Sequence, residues 1–194
     1  MQQSIKLGIL DQSIVREGFT AQEAIEETIA TAKLAEELGY SRFWVSEHHN
    51  APSIAGSTPE VLMVKLADET HSIRIGSGGI MLPNHSALKV AENFRMLETL
   101  FPGRIDLGIG RAPGGDRITA ALLNPSNDFN EDSYLLQLSH LQHYFNDTAA
   151  TSYGHDCLRC HNQAALPCNR FLAAAVEAAG SPQVLEWVWL LPGL

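Results

Sequence analysis

At 194 residues and 45% hydrophobic content the chain is long enough for one domain with a sizeable core, and its 18% charged content fits a soluble globular protein. A formal charge of -9 argues against nucleic acid or an anionic membrane surface as partner, and no apolar run approaches the ~20 residues needed to cross a bilayer. The N-terminal Met1-Gln-Gln-Ser-Ile-Lys-Leu7 lacks the basic-then-apolar form of a signal peptide, so a cytoplasmic location is expected.

Ile5–Leu10 reads as a short buried strand, followed by a polar loop from Asp11 to Gly18. Thr20-Ala-Gln-Glu23 has the spacing of a capping box. After it Ile25, Ile29, Ala32, Ala35 and Leu38 recur at helical spacing until Gly39 closes the helix. A second strand, Arg42 to Val45, leads into Ser46-Glu47-His48-His49 and a loop. Thr58-Pro59-Glu60 opens the next helix with a capping hydroxyl, a proline and an acid, and that helix runs to about His71. Ile73–Ser77 is a third strand, continued by Gly78-Gly79 and the loop Ile80–His85. A third helix carries Val90, Phe94, Leu97 and Leu100, and Pro102-Gly103 ends it. Arg104–Ile109 is a fourth strand leading to Gly110-Arg-Ala-Pro-Gly-Gly115, with a short helix over Asp116–Leu123 and another amphipathic segment within Asp128–Phe145. Farther on, Ala173–Ala179 is expected to be helical, and Val184–Leu191 is a loose apolar run.

The four strands start near residues 5, 42, 73 and 104, the spacing of βαβ units, and strict alternation implies a parallel sheet. An open dinucleotide-binding sheet calls for Gly-x-Gly-x-x-Gly after its first strand, where this chain has Asp11-Gln12. The expectation is therefore a (β/α)8 barrel of the TIM type, with its first four βα units present. In such a barrel all loops that follow strands share one rim. That rule gathers Glu47, His48 and His49 with Gly78, Gly79 and His85, and with Gly110 and Arg111.

The gathered residues have complementary chemistry. His48 or His49 can serve as a general base or a hydrogen-bond donor. Gly78-Gly79 lets a flat ligand approach the backbone. Arg111 in a glycine-rich turn suits a phosphate. A ring near glycines and a phosphate near an arginine point to a flavin mononucleotide. Each feature also has a plain structural reading: solvated histidines, glycines serving a turn, Arg111 paired with Asp116. His140 and His143 stand three apart on a helix but lack a third ligand, so no metal site is expected.

Ser46-Glu-His-His49, Arg74-Ile-Gly-Ser-Gly-Gly-Ile-Met-Leu-Pro83, Val90-Ala-Glu92 and Gly103-Arg-Ile-Asp-Leu-Gly-Ile-Gly-Arg111 together resemble the bacterial luciferase-like monooxygenases, over roughly residues 4–145. The resemblance implies a (β/α)8 barrel that uses reduced FMN and O2 on a small organic substrate, commonly as a homodimer supplied by a flavin reductase. A deazaflavin, used by relatives of the family, is the alternative cofactor. It implies His48 as the catalytic histidine and Arg111 as the ligand of the FMN phosphate. Ser77, Gly78 and Gly79 become the stretch lying against the flavin ring, where the family often has a non-proline cis peptide. Glu47, His49 and His85 take substrate-facing or orienting roles, Glu47 and His49 orienting His48.

The chain departs from that pattern near residue 147. Residues 1–147 hold 11 of the 13 Lys/Arg and 19 of the 22 Asp/Glu and no cysteine, whereas 148–194 hold all three cysteines and two of three tryptophans. Four more βα units would need about 124 residues, and after Asp147 no counterpart of a fifth strand is legible. The expectation is an N-terminal half-barrel over 1–147 and an atypical tail over 148–194, a frame-shifted reading of a longer gene. A truncated, non-catalytic remnant is then the alternative to an enzyme. Cys157-Leu-Arg-Cys160-His161 has the form that attaches haem, and with His155 and Cys168 could bind metal, which makes a haem or metal protein the remote alternative.

Overall fold

The computed structural model describes residues 6–146 together with the backbone of two short strands, 171–174 and 187–188. In chain order the elements are β1 (Gly8–Asp11), α1 (Ala21–Glu37), β2 (Arg42–Val45), α2 (Pro59–Glu69), β3 (Arg74–Ser77), β4 (Ile80–Met81), a 3-10 turn at Leu82–Asn84, α3 (Ala87–Leu100), β5 (Ile105–Gly110), α4 (Arg117–Leu123), α5 (Glu131–Phe145), β6 (Phe171–Ala174) and β7 (Trp187–Val188). Strands β1, β2, β3, β5 and β6 lie side by side in that order, all parallel, with Gly8 opposite Arg42, Arg42 opposite Arg74 and Ile75 opposite Ile105. Four strands joined through helices in parallel order are the first half of the expected barrel. The short β4 was read as loop; it pairs with the end of β5.

Beyond residue 147 the structure corrects the sequence reading. β6 pairs in parallel with β5 (Leu107 opposite Phe171), the place of a fifth barrel strand, and Ala173 and Ala174 are extended rather than helical. The run from Phe171 is short and apolar throughout, so period alone could not separate strand from helix. β7 then pairs antiparallel to β6, which a continuing barrel would not do. Cys157, Cys160, His161 and their neighbours lie outside the described residues.

Side-chain alternation sorts the sheet into two faces. Phe43, Val45, Ile75, Ile105, Leu107 and Ile109 pack with Ala32 and Ala35 of α1, Met63 and Leu66 of α2, Phe94 of α3 and Leu141 and Phe145 of α5 in one buried core. Arg42, Trp44, Arg74, Gly76, Asp106 and Gly108 occupy the opposite face. There Asp106 accepts from Trp44 Nε1 (3.2 Å) and Arg42 Nε (3.0 Å) and ion-pairs with Arg74. A Cβ on Gly76 would stand 2.6 Å from Trp44 Nε1, so the indole needs glycine beneath it.

Some helix ends follow the chemistry of their caps and others do not: Ser86 before α3 makes no side-chain capping bond. The Thr20–Glu23 capping box is present, and Gly39 takes φ 79° just past α1. At α2 Pro59 and Glu60 occupy the first turn as expected, but Thr58 makes no side-chain capping bond. Arginines close two C-termini by donating to free carbonyls. Arg104 reaches Ala67 O and Thr70 O of α2 (both 2.9 Å), and buried Arg95 reaches Tyr144 O and Phe145 O of α5. The inward stripe of α1 is turned by one position: Ala24 and Thr28 are buried, while Leu38 is exposed. Thr28 goes inside because its hydroxyl bonds Asp11 Oδ1 and Ser13 Oγ, each at 2.9 Å.

Candidate functional site

The segment after β2 continues nearly extended, so side chains two apart share a side. Ser46 and His48 fall together, with Ser46 Oγ 3.1 Å from His48 Nδ1. Glu47 and His49 fall together on the other, with His49 Nε2 2.6 Å from Glu47 Oε1. By the same alternation His48 belongs with Trp44 on the face away from the helices, and Glu47 with the buried residues Phe43 and Val45. The backbone is pinned as well: Ser46 N donates to Asp11 O, His48 N to Gly56 O and His49 N to Gly114 O.

Glu47 is fully buried and makes three bonds. Oε1 takes His49 Nε2 and also His85 Nε2 at 2.7 Å, and Oε2 takes the Met81 N–H at 2.9 Å. Burial pushes its pKa up, but the bonds from His49, His85 and Met81 and the attraction of His85 outweigh this and hold it below the ordinary carboxylate value. Burial likewise pushes His85 down, and the Glu47 carboxylate more than restores it, leaving its pKa raised. Glu47 thus ties the β2 loop to the turn after β4. It does not touch His48; the side chain that does is Ser46. Sequence reasoning passed over Ser46, although its position two residues before His48 in an extended run was a usable signal.

The third loop follows β5. Arg111 lies 3.6 Å from Glu131 Oε2 at the start of α5, with its side chain 37% exposed. Asp116, the partner of Arg111 in the plain structural reading, instead caps α4 through Ile118 N and Thr119 N, and its pKa falls to about 2. Gly114 O and Gly115 stand against His49, and Asn84 Nδ2 bonds Pro113 O at 2.7 Å, so the β2, β4 and β5 loops form one rim. Asn84 is buried and gave no sign of this in the sequence.

The Gly78–Gly79 peptide is cis. A Cβ at Gly78 would meet Leu10 Cδ1 at 2.7 Å and one at Gly79 would meet β5 backbone at 2.9 Å, so these glycines are required first by the protein's own packing. Ser77 Oγ is engaged with Gly108 N and O. For an anionic cofactor the donor set fits at Arg111, whose carboxylate neighbour Glu131 is 3.6 Å away and largely in solvent. For a proton acceptor it fits at His48, whose Nε2 has no hydrogen bond among the described residues.

Among the described residues the set of three possible metal ligands is Glu47, His49 and His85, not His140 or His143. A zinc ion with bonds of about 2.0–2.1 Å needs ligand atoms about 3.3 Å apart. The observed separations of 2.6 and 2.7 Å are those of charge-assisted hydrogen bonds. A hollow of about 480 Å³ lies beside His49 and is lined by Asn50, Asp116, Ile118, Thr119 and Leu122. A larger one of about 810 Å³ lies on the outer side of α2 and α3, away from this chemistry.

A family profile described as luciferase-like monooxygenase matches residues 5–129. N-acetyl-S-alkylcysteine monooxygenase of Bacillus subtilis is 47% identical over 160 residues, 80% of this chain and 46% of the relative. A luciferase-like monooxygenase of Escherichia coli K12 is 44% identical over 142 residues, 73% of this chain and 42% of the relative. Among solved structures, apo-MsnO8 matches with a TM-score of 0.68 at 44% identity, covering 73% of this chain and 42% of its own. The oxygenating constituent of 3,6-diketocamphane monooxygenase of Pseudomonas putida, described in complex with FMN, matches with a TM-score of 0.64 at 22% identity, a likeness of fold; it covers 74% and 40%. The chain therefore spans less than half the length of the relatives it matches.

Proposed function

The chain belongs to the luciferase-like monooxygenase family, and from that premise we propose that it carries the flavin-binding half of an enzyme using reduced FMN and O2 on a small organic substrate. The observation that carries the proposal is the joined rim, on which a histidine whose Nε2 has no hydrogen bond among the described residues and a half-exposed arginine with a distant partner are set by buried loops. Arg111 binds the phosphate by exchanging Glu131 for it, a fork of donors meeting a dianion. The Gly78–Gly79 peptide and Ser77 would offer the backbone edge that holds the ring. His48, with Nδ1 held by Ser46, presents Nε2 to the reacting centre and accepts or returns a proton there. Bound reduced FMN supplies the electrons that activate O2, and the protein's task is to orient it and keep out water. Glu47, His49 and His85 hold the loops in register around it. A deazaflavin in place of FMN is the competing cofactor.

A cytoplasmic location is also proposed; no helix among the described residues is long and apolar enough to cross a membrane. Self-association is proposed as well, supported by Val61, Met96 and Leu100, which stand 67%, 49% and 53% exposed on the adjacent helices α2 and α3. The second reading is a remnant without catalysis, favoured by β7, which pairs antiparallel to β6 where a continuing barrel would stay parallel. In that reading residues 1–147 are the half-barrel and 148–194 a tail of different coding origin, which translation of the coding DNA in its other frames past Asp147 would test.

The deciding experiment titrates the purified chain with FMN and with a deazaflavin, following fluorescence quenching. Saturable FMN binding that Arg111→Ala weakens about tenfold or more supports the enzyme reading. Absence of binding to either cofactor overturns it in favour of the remnant, and a Soret band in the purified protein would favour a haem protein instead.

A further inference from the structure

The proposal concerns which ring nitrogens of the rim can exchange protons. A carboxylate can only accept hydrogen bonds. Glu47 is ionised at neutral pH, since the bonds it receives hold its pKa below the ordinary value. Both His49 Nε2 and His85 Nε2 point at its Oε1, at 2.6 and 2.7 Å. Each must therefore bring a proton to that bond, because a lone pair facing a carboxylate oxygen at such a distance would be repelled.

We propose that Glu47 is a positioning residue that locks His49 and His85 as Nε2–H tautomers, so that Nδ1 is the only proton-accepting atom either ring offers. His48 is the complement: its Nδ1 is spent on Ser46 and its Nε2 is left for a ligand. Three histidines on one rim thus work through opposite nitrogens, and the buried carboxylate decides it for two of them. A hydrogen bond that fixes a ring's second nitrogen sets the function of the first.

An isosteric change makes this sharp. In Glu47→Gln the Met81 N–H, 2.9 Å from Oε2, needs an acceptor and selects the amide oxygen for that side. The amide NH2 then faces both imidazoles and donates to both. Their Nε2 atoms must become acceptors, and both protons must move to Nδ1. Neutral imidazole tautomers exchange at little cost, whereas a buried backbone N–H left without an acceptor keeps its full desolvation penalty.

The test is imidazole nitrogen NMR of the isotopically labelled chain, at a pH above the histidine titrations, with signals assigned through His49→Asn and His85→Asn. In the unaltered protein both rings should carry the proton on Nε2; in Glu47→Gln both should carry it on Nδ1, with the His48 pattern unchanged. A proton on Nδ1 of either ring in the unaltered protein overturns the proposal, and so does an unchanged pattern in a folded Glu47→Gln. If that variant does not fold, the spectrum of the unaltered protein still decides. The measurement needs no flavin, so its failure is distinguishable from failure of the monooxygenase reading, on which only the catalytic meaning of the tautomers rests.

Discussion

The two ends of the candidate rim are built in opposite ways. Around Glu47 a fully buried carboxylate holds two imidazoles and a backbone amide, and two of the three partners, His85 and the Met81 N–H, come from β4 and the turn after it. Around Arg111 a half-exposed guanidinium has a carboxylate at 3.6 Å, in solvent. The first arrangement loses much if any member is removed, because what remains is buried and unsatisfied. The second loses little, since water replaces Glu131 at almost no cost. A site that must keep its loops rigid yet admit an anion needs both.

The largest effect should come from breaking the rigid end. Glu47→Ala leaves two imidazole N–H groups and the Met81 N–H without an acceptor, and should lower stability by about 3–5 kcal/mol in urea denaturation. A loss under about 1 kcal/mol would show that water reaches the cluster and that the contrast between the two ends is false.

The same contrast runs along β5. A Cβ at Gly108 would stand 2.2 Å from the Ser77 carbonyl oxygen, a backbone atom that cannot move without shifting β3. At Gly110 the neighbour is the Met81 thioether at 2.8 Å, which can turn aside. Gly108→Ala should cost about 3 kcal/mol and Gly110→Ala less than about 1 kcal/mol. Equal costs in thermal denaturation would mean that β5 is held no more tightly at its centre than at its rim.

At the yielding end, Arg111→Ala should leave stability within about 0.5 kcal/mol of the unaltered chain. Glu131→Gln should tighten FMN binding by roughly twofold to fivefold, since a neutral amide competes less for the guanidinium. Weaker binding in Glu131→Gln would make Glu131 a support for Arg111 and not a competitor of phosphate.

The smallest effect is a pH dependence confined to the rigid end. Glu47 has a lowered folded pKa, so its stabilisation is present above about pH 4.5 and is lost as pH falls through the lowered value. His85 has a raised folded pKa, so its share is full below about pH 6.5 and is lost as pH rises through the raised value. The cluster should therefore contribute most between these limits. The difference in Tm between the unaltered chain and Glu47→Gln should peak there and shrink by about 2–4 °C on the alkaline side. No such profile is expected for Arg111→Ala.

What the sequence determined by itself is the part written in local pattern. Strand–helix alternation, the Thr20–Glu23 box, the glycine past α1 and the strand-end residues that gather on one rim all follow from periodicity, capping and the parallel order of βα units. Tertiary structure alone decided the pairings. Asn84 reaching Pro113, His85 sharing Glu47 with His49, Arg111 meeting Glu131 in place of Asp116, and Phe171–Ala174 joining β5 are contacts between loops and strands far apart in sequence. No period or spacing encodes such a contact, because it depends on how closely whole elements pack. The rim residues at the strand ends were therefore legible from the chain, whereas Ser46, Asn84 and the division of labour among them were not.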